Sequence, residues 1–245
     1  VTIRHAVSSD DFERDGYSVH ERVLDESMRG SVVAAFGSLL GPHDGAGERN
    51  GLAHPAIPEL ARSSSVRALL EPILGAGAYA FRATLFDKTQ ASNWPVAWHQ
   101  DRVIPVVEPR LAPGFAQWSQ KANGWHGEPP RTVQERIVAV RVDLDGSGAL
   151  NGGLRFVVGS HTSGVLDPSQ IATAVEHGCE VCPNVVAGGA VRMRPLLLHS
   201  SRRIDVQQPP PPVPSSHRRI VHFEFFSGDL PHGVQFSRRV AGHRE

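Results

Sequence analysis

The residues best suited to chemistry are a histidine and an aspartate two positions apart. His99 and Asp101 stand in the stretch Trp98-His-Gln-Asp-Arg102, where hydrophobic alternation predicts a strand. Side chains at positions i and i+2 of a strand lie on the same face, so both can reach one metal ion. Two histidines and one carboxylate on one face of Fe(II) leave its other positions open for a cosubstrate and O2. The motif therefore requires a second histidine.

The best candidate for that histidine is His199, which follows the apolar run Pro195-Leu-Leu-Leu198. The run predicts a buried strand that ends on the histidine. The packing of apolar side chains does not explain a histidine at this position. Further on, His217-Arg-Arg-Ile-Val-His-Phe-Glu-Phe225 predicts another strand. Its two arginines carry planar guanidinium groups that can pair with a carboxylate through two hydrogen bonds. A His-x-Asp triplet is weak by itself among 13 histidines, so the hypothesis depends on the ordered set.

This ordered set and the segments around it resemble the phytanoyl-CoA dioxygenase family of Fe(II)- and 2-oxoglutarate-dependent oxygenases. The resemblance extends over nearly the whole chain. It includes Phe12-Glu-Arg-Asp-Gly-Tyr17, Arg82-Ala-Thr-Leu-Phe-Asp-Lys88, Trp98-His-Gln-Asp101 and Asn151-Gly-Gly-Leu-Arg-Phe-Val-Val-Gly-Ser-His161. A family member would use Fe(II), 2-oxoglutarate as cosubstrate, and O2.

The resemblance also implies roles for individual residues. The iron ligands would be His99, Asp101 and His199. Arg218 would bind the distal carboxylate of 2-oxoglutarate, and Ser201, two residues after the distal histidine, would be a further cosubstrate contact. Arg219 is the alternative to Arg218, because a shift of one residue in register turns a side chain to the other face of the sheet.

The reaction that the resemblance implies is hydroxylation of a small-molecule metabolite with release of succinate and CO2. Related halogenases have a small residue in place of the iron-binding carboxylate, so Asp101 favours hydroxylation, desaturation or ring chemistry. The sequence does not identify the substrate. Two alternatives stay open: a cupin-like metal enzyme that does not use 2-oxoglutarate and has no need of Arg218, and a non-catalytic binding protein on the same fold, which needs no metal.

Two departures from the family pattern stand out. The interval between His199 and Arg218 is longer than usual and contains four consecutive prolines, which predict an enlarged surface loop around residues 204–214. Arg141 stands where many family members have a tryptophan near the cosubstrate. The arginine indicates either contact with an anionic substrate or a paired strand arginine at the rim of the barrel.

A segment without clear periodicity, residues 108–131, follows the His-x-Asp motif. Irregular segments of this length inside a compact domain are usually functional or disordered, and its aromatic residues argue against disorder. We interpret it as a substrate lid, in which Lys121 meets a substrate carboxylate or phosphate. Trp118 and Trp125 either form apolar walls for the substrate or simply anchor the segment to the barrel.

The remaining pattern predicts one domain over residues 1–245, mainly β with flanking α-helices. Residues 1–76 form a helical part with Asp25 as an N-cap, a helix to about residue 40, a glycine-rich loop at 43–50, and a second helix at about 65–70 before Pro72. Residues 77–245 form a double-stranded β-helix, a jelly roll of the cupin type. Its strands are predicted at Ala80–Phe86, Val96–Ile104, Arg136–Leu144, Leu154–Val158, Val191–His199 and Arg218–Phe226.

Composition excludes several other classes of function. The 25 basic and 25 acidic residues balance, which gives no electrostatic footprint for nucleic acid, and no apolar run is long enough to span a membrane. We expect a cytoplasmic enzyme that acts on a small molecule, with its oligomeric state left open. Cys179-Glu-Val-Cys182 lacks the context of a redox or zinc motif, so we expect ordinary reduced thiols.

Overall fold

The computed structural model describes residues 9–39, 47–204 and 217–242. Its helices are α1 (Ser9–Asp15), α2 (Glu26–Leu39), α3 (Ala56–Arg62), α4 (Ser64–Leu74), α5 (Arg131–Gln134) and α6 (Pro168–His177). Helix α2 begins as the sequence predicts, because the carboxylate of Asp25 accepts a hydrogen bond from the Met28 backbone nitrogen at 2.7 Å. Helix α4 continues through Pro72 to Leu74, so the predicted end before the proline is wrong.

The strands form three antiparallel sheets. They are β1 (Tyr17–His20), β2 (Tyr79–Thr89), β3 (Val96–His99), β4 (Ile104–Val106), β5 (Ala116–Lys121), β6 (Gly124–Glu128), β7 (Val138–Asp143), β8 (Leu154–Val157), β9 (Glu180–Val181), β10 (Ala190–Met193), β11 (His199–Ser201), β12 (His217–Phe226) and β13 (Val240–Ala241). The largest sheet has the order β1-β10-β7-β12-β2-β13, the second β3-β11-β8-β9, and the third β4-β6-β5.

The largest sheet has two different faces because side chains alternate along each strand. On the outer face, apolar residues of β12 such as Val221, Phe223 and Phe225 pack with the helices in the main hydrophobic core. On the inner face, β12 carries Arg218 and His222, which are also buried. Strand β12 is therefore buried on both faces, and its inner face carries polar side chains into the interior of the molecule.

The inner face is closed by the second sheet. Ala139 and Met193 of the largest sheet pack with Leu154 and Phe156 of β8, and the ring of Phe156 stacks on Tyr17 at 4.8 Å. Two facing sheets with helices outside one of them form the jelly roll that the sequence predicts, and the fold class is confirmed. The interior between the sheets is the space available for a site.

Three local predictions are corrected by the structure. Residues 195–198 form a turn rather than the end of a strand, and the new strand begins at His199. The predicted strand Val96–Ile104 is two short strands, and Asp101 lies between them. Helices α3 and α6 were not predicted, although Asp167 followed by Gln170 forms a capping box at the start of α6.

The segment 108–131, interpreted as an irregular lid, contains a β-hairpin. Strands β5 and β6 pair with each other, and β6 also pairs with β4. The sequence does not show this because β5 has no alternating pattern: only Trp118 and Ser119, which are adjacent, are partly covered, and the other four residues are exposed. The segment is therefore an ordered wall beside the barrel.

Some predictions fall outside the described residues. The proline-rich loop at 204–214 lies there except for Ile204, and so does the first half of the predicted loop at 43–50, residues 43–46. In the described part of the chain, no helix is long and apolar enough to cross a membrane. Cys179 and Cys182 are free thiols, as the sequence predicts.

Candidate metal centre and cosubstrate pocket

The structure brings together the three residues predicted as iron ligands. His99 ends β3, Asp101 follows two residues later, and His199 begins β11. The Nε2 atom of His99 lies 3.7 Å from Oδ1 of Asp101, and Nε2 of His199 lies 3.6 Å from Oδ2. All three possible ligand atoms lie within 4.8 Å of one another. Two imidazoles and a carboxylate at this separation can bind one metal ion.

Strand pairing, rather than the spacing in one strand, builds this cluster. His99 and His199 are direct partners across the antiparallel pair β3–β11, and their ring centroids lie 4.1 Å apart. Asp101 is beyond the end of β3, where its backbone nitrogen donates to the carbonyl oxygen of Pro195 at 2.9 Å. The predicted positioning of His99 and Asp101 along one strand is thus wrong, although the two side chains still meet.

Both histidines are held in the tautomer that a metal needs. Nδ1 of His99 lies 2.8 Å from the Ala97 carbonyl oxygen, and Nδ1 of His199 lies 2.7 Å from that of Leu197. A carbonyl oxygen can only accept, so each Nδ1 carries the hydrogen and each Nε2 lone pair is free. Burial, and next the charge of His99, lower the pKa of His199 to about 4, which keeps its imidazole neutral.

The carboxylate of Asp101 is poised to stay ionised. Burial alone would raise its pKa, but His199, His222, His99 and Arg82 around it together hold the pKa well below the usual range. An ionised carboxylate between neutral imidazoles is the charge state in which these groups bind a divalent cation.

A second group of possible ligands shares Asp101 with the first. It contains His222 and Glu224, both on the inner face of β12. Glu224 is already bound by the guanidinium of Arg82 through two hydrogen bonds, one of them Nη2 to Oε1 at 2.5 Å. Nε2 of His222 lies 3.6 Å from Oδ2 of Asp101 and has no hydrogen-bond partner among the described residues. His222 is therefore a neighbour of the first cluster, and Glu224 is held in an ion pair.

The two candidate arginines of β12 have different surroundings. Arg219 donates to the carboxylate of Asp145 from Nε at 2.8 Å and from Nη2 at 2.6 Å, which occupies its guanidinium. Arg218 is 2 % exposed, and within the described chain neither its Nε nor its Nη1 has a hydrogen-bond partner. A buried guanidinium without a partner is costly, so a bound anion is the natural partner for Arg218.

Lys88, to which the sequence assigned no role, lies beside Arg218. The two residues are cross-strand partners in β2 and β12, and Lys88 is 1 % exposed. Its ammonium donates to the hydroxyl of Ser201 at 2.9 Å and to the carbonyl oxygen of Arg202 at 2.8 Å. Burial, Arg218 and then Arg141 lower the pKa of Lys88 to about 7. Arg218, Lys88 and Ser201 thus form one buried cationic cluster, called the cosubstrate pocket below.

Arg141 also belongs to the inner face. It is 7 % exposed on β7, and its guanidinium lies 5.6 Å from the centre of the Phe86 ring. It forms no ion pair or hydrogen bond within the described residues, and its Nε is buried without a partner. Burial, and next the charge of Arg141, lower the pKa of Arg218 to about 9. The two guanidinium groups are therefore close. The alternative of a paired arginine at the rim is therefore wrong.

The remaining predicted substrate residues lie on the β5–β6 hairpin. The ring of Trp118 stacks on Phe115 at 5.6 Å. Together with Trp125 it packs against a hydrophobic cluster that includes Phe81 and Phe236. These contacts anchor the hairpin. Lys121 is exposed at the end of β5, and burial followed by the charges of Arg49 and Arg82 lowers its pKa.

The donor set fits Fe(II) and 2-oxoglutarate. The metal cluster offers two neutral nitrogens with free lone pairs and one ionised carboxylate. The cosubstrate pocket offers unpaired buried donors of Arg218 near those ligands, which suits the far carboxylate of a dicarboxylate. The chain therefore has complementary groups both for the metal ion and for the far carboxylate of 2-oxoglutarate.

Comparison with known proteins identifies the family of this chain. The family model described as phytanoyl-CoA dioxygenase (PhyH) matches residues 12–208, which is most of the chain. The chain therefore belongs to the phytanoyl-CoA dioxygenase family. Membership confirms the predicted enzyme class, a 2-oxoglutarate-dependent non-haem iron oxygenase, with iron, 2-oxoglutarate and O2 as its cofactors. A comparison with curated proteins found no match.

Solved structures share the fold at low sequence identity. The α-ketoglutarate-dependent epimerase SnoN from nogalamycin biosynthesis is 18% identical with a TM-score of 0.63, covering 96% of this chain and 93% of its own. The carbocyclase SnoK from the same biosynthesis is 14% identical with a TM-score of 0.64, covering 91% and 85%. HygX from Streptomyces hygroscopicus, solved with nickel and 2-oxoglutarate bound, is 15% identical with a TM-score of 0.61, covering 95% and 90%.

Proposed function

We propose that this chain hydroxylates a small-molecule metabolite, with His99, Asp101 and His199 as the ligands of Fe(II) and the cosubstrate pocket as the receptor for 2-oxoglutarate. The observation that carries the proposal is the pairing of two sites. A facial set of metal ligands stands beside a buried arginine that has no partner of its own among the described residues. A metal enzyme that used no dicarboxylate would have no reason to bury Arg218 unpaired.

Each residue has a physical task in this proposal. When bound, the iron supplies O2 activation coupled to the oxidative decarboxylation of 2-oxoglutarate to succinate and CO2. His99 and His199 present Nε2, because their Nδ1 hydrogens are fixed on backbone carbonyls. Arg218 binds the far carboxylate of the cosubstrate, and Lys88 neutralises it while orienting the hydroxyl of Ser201. This fixes the direction of the cosubstrate relative to the metal ligands.

The substrate is proposed to be a metabolite of the kind handled in natural-product biosynthesis. SnoN and SnoK belong to nogalamycin biosynthesis, and they share the fold over nearly the whole chain. The carboxylate of Asp101 supports hydroxylation, desaturation or ring chemistry, because a small residue there would be needed to admit a halide. We further propose that the enzyme acts in the cytoplasm, as one domain over residues 1–245.

The first test is anaerobic titration of the metal-free protein with Fe(II) and then 2-oxoglutarate, followed by visible absorbance. The chelate of both gives a weak charge-transfer band. We expect the band in the wild-type protein and in Arg219→Met, since Arg219 is bound to Asp145. In Arg218→Met we expect the 2-oxoglutarate affinity to fall by about 10- to 100-fold, the value of a charge-assisted pair.

The variant pair makes the outcome decisive. Arg218 and Arg219 are adjacent arginines on one strand, so each of the two substitutions removes one positive charge. Iron binding without a band in the wild type would contradict 2-oxoglutarate use and favour a cupin-like metal enzyme. If His99→Ala binds iron as well as the wild type, the proposed ligand set is wrong.

A further inference from the structure

A cavity of about 220 Å³ is lined in part by β2 of the largest sheet, and basic residues dominate its charge. Arg49, Arg82 and Arg238 line it, together with polar residues that include Asn123 at the turn of the β5–β6 hairpin. No acidic residue is among its lining. We call this space the arginine cavity.

The arginine cavity is connected to the metal cluster through one ion pair. Arg82 forms part of the cavity wall and donates two hydrogen bonds to Glu224. A carboxylate oxygen of Glu224 lies within 4.8 Å of one of Asp101. The Arg82–Glu224 pair therefore links the wall of the cavity to the metal ligand Asp101.

The charges of the other two arginines have no ion-pair partner in the part of the chain that the structure describes. Glu224 neutralises Arg82, whereas Arg49 and Arg238 form no ion pair within the described residues. Lys121 is also unpaired there, and it stands two residues before Asn123. The neighbouring carboxylate of Glu48 accepts a hydrogen bond from the Asn50 backbone nitrogen at 2.6 Å. Cations gathered around a concave surface focus a positive potential into it.

Main-chain hydrogen bonds fix the segments that carry these arginines. The residue before Arg49 exchanges two bonds with Leu85 on the open edge of β2, at 2.8 and 2.9 Å. The residue before Arg238 donates from its nitrogen to the carbonyl oxygen of Pro105 in β4 at 3.2 Å. The arginines are thus brought together from two ends of the chain before any ligand binds, which lowers the entropic cost of binding.

We propose that the arginine cavity binds an anionic group of the substrate, a carboxylate or a phosphate, while the reacting carbon lies at the metal cluster. This inference rests on the proposed function for the identity of the metal cluster. It deepens that function by defining the substrate as an anionic small molecule. It also gives Lys121 a place, at the rim of the cavity that receives the anion.

The test titrates sulfate, as a tetrahedral dianion, and acetate, as a carboxylate, into the protein loaded with Fe(II) and 2-oxoglutarate. Oxygen is excluded, chloride keeps the ionic strength constant, and calorimetry measures binding. The cosubstrate occupies the pocket of Arg218, so the probe reports on the arginine cavity. We expect saturable binding that weakens about threefold in Arg238→Gln and about tenfold when Arg49→Gln is added. The tighter of the two probes identifies the anion.

The matched control is Arg110→Gln, an exposed arginine outside the cavity that pairs with Glu108. It should leave binding unchanged. Equal weakening in the control, or a wild-type isotherm that does not saturate, would overturn the proposal by showing only unspecific attraction. Failure of the proposed function is a separate result, since it removes the charge-transfer band of the 2-oxoglutarate chelate, whereas the difference between Arg238→Gln and Arg110→Gln in the anion titration still reports on the arginine cavity.

Discussion

At the scale of single residues, the inner face of the largest sheet is unusual in its buried cations. Arg218, Lys88 and Arg141 are each at least nine-tenths buried, and only Lys88 has hydrogen bonds within the described residues. Burial raises the pKa of the nearby Asp143 to about 6, so its carboxyl becomes protonated at a higher pH than an exposed aspartate. The ligand-free pocket therefore stores unfavourable desolvation that a bound dicarboxylate relieves.

We predict that Lys88 makes 2-oxoglutarate binding dependent on pH. Its pKa of about 7 in the ligand-free protein rises when a carboxylate binds beside it, so binding takes up a proton. Affinity for 2-oxoglutarate should be greatest below the ligand-free pKa and fall as pH rises above about 7. Titration of the Fe(II)-loaded protein with 2-oxoglutarate between about pH 6 and pH 9 measures this slope.

Lys88→Met is the control for that slope. The variant has a side chain of similar length without the charge, so affinity should be lower at acidic pH and nearly independent of pH. A slope that persists in the variant would assign the proton uptake to another group. Calorimetry in two buffers with different ionisation enthalpies checks the number of protons directly.

Arg141 is predicted to act on the cosubstrate as well as on the substrate. Its charge is close enough to lower the pKa values of both Arg218 and Lys88. Arg141→Met should weaken 2-oxoglutarate by about tenfold, the value of one charge-assisted hydrogen bond, while the ligand-free protein unfolds at the same temperature or higher. The charge-transfer band and a thermal melt measure the two effects. A lower melting temperature with unchanged affinity would show that Arg141 is structural.

At the scale of elements, the β5–β6 hairpin is held in place by its aromatic contacts. Gly127 of β6 lies against Trp118, and a Cβ atom added there would lie 2.3 Å from Cζ3 of the indole. Because the indole also stacks on Phe115, it has little room to move. The position of the hairpin, and thus of Lys121 and Asn123, depends on this contact.

Gly127→Ala should therefore destabilise the protein by about 1–3 kcal/mol, the usual cost of overpacking. Tryptophan fluorescence should change, whereas the 2-oxoglutarate band should remain, since the metal ligands stand on other strands. Gly30→Ala, in α2, is the matched control. Nothing lies within 4 Å of a Cβ atom there, and alanine favours a helix, so stability should rise by about 0.5–1 kcal/mol. Urea unfolding measures the free energy of unfolding of both variants and shows whether each substitution lowers or raises it.

At the scale of the whole molecule, the metal cluster and the cosubstrate pocket join both sheets. His99 and His199 belong to the second sheet, while Arg218 and Lys88 belong to the largest one. A chelate that contacts both should oppose their separation during unfolding. Ligands that bind only the native state stabilise it by mass action.

Fe(II) together with 2-oxoglutarate should accordingly raise the melting temperature. At about 100 times the dissociation constant the stabilisation is about 2.7 kcal/mol. For a chain of this size that corresponds to a shift of about 5–11 °C. A thermal melt under anaerobic conditions measures it, and Arg218→Met should lose the part of the shift that 2-oxoglutarate contributes. An equal shift in Arg218→Met would mean that 2-oxoglutarate does not use this pocket.

The sequence by itself determined the family and the fold class, and it predicted the chemical set of the site. His99, Asp101, His199 and the arginine pair are recognisable because their residue types and their order along the chain carry the chemistry. The helix α2 and the strands β2, β7, β8 and β12 also follow from local periodicity, capping and turn residues. These are properties of neighbouring residues, which a sequence displays directly.

Only the tertiary structure decided which arginine faces the pocket and what accompanies it. Arg219 is hydrogen-bonded to Asp145, whereas Arg218 lies opposite Lys88 on the neighbouring strand β2. Neither Asp145 nor Lys88 is close in sequence to its arginine. The hairpin in 108–131 and the arginine cavity likewise depend on contacts between distant segments. Strand register and burial are set by the packing of the whole chain, because a shift of one residue exchanges the two faces of a strand without changing its local pattern.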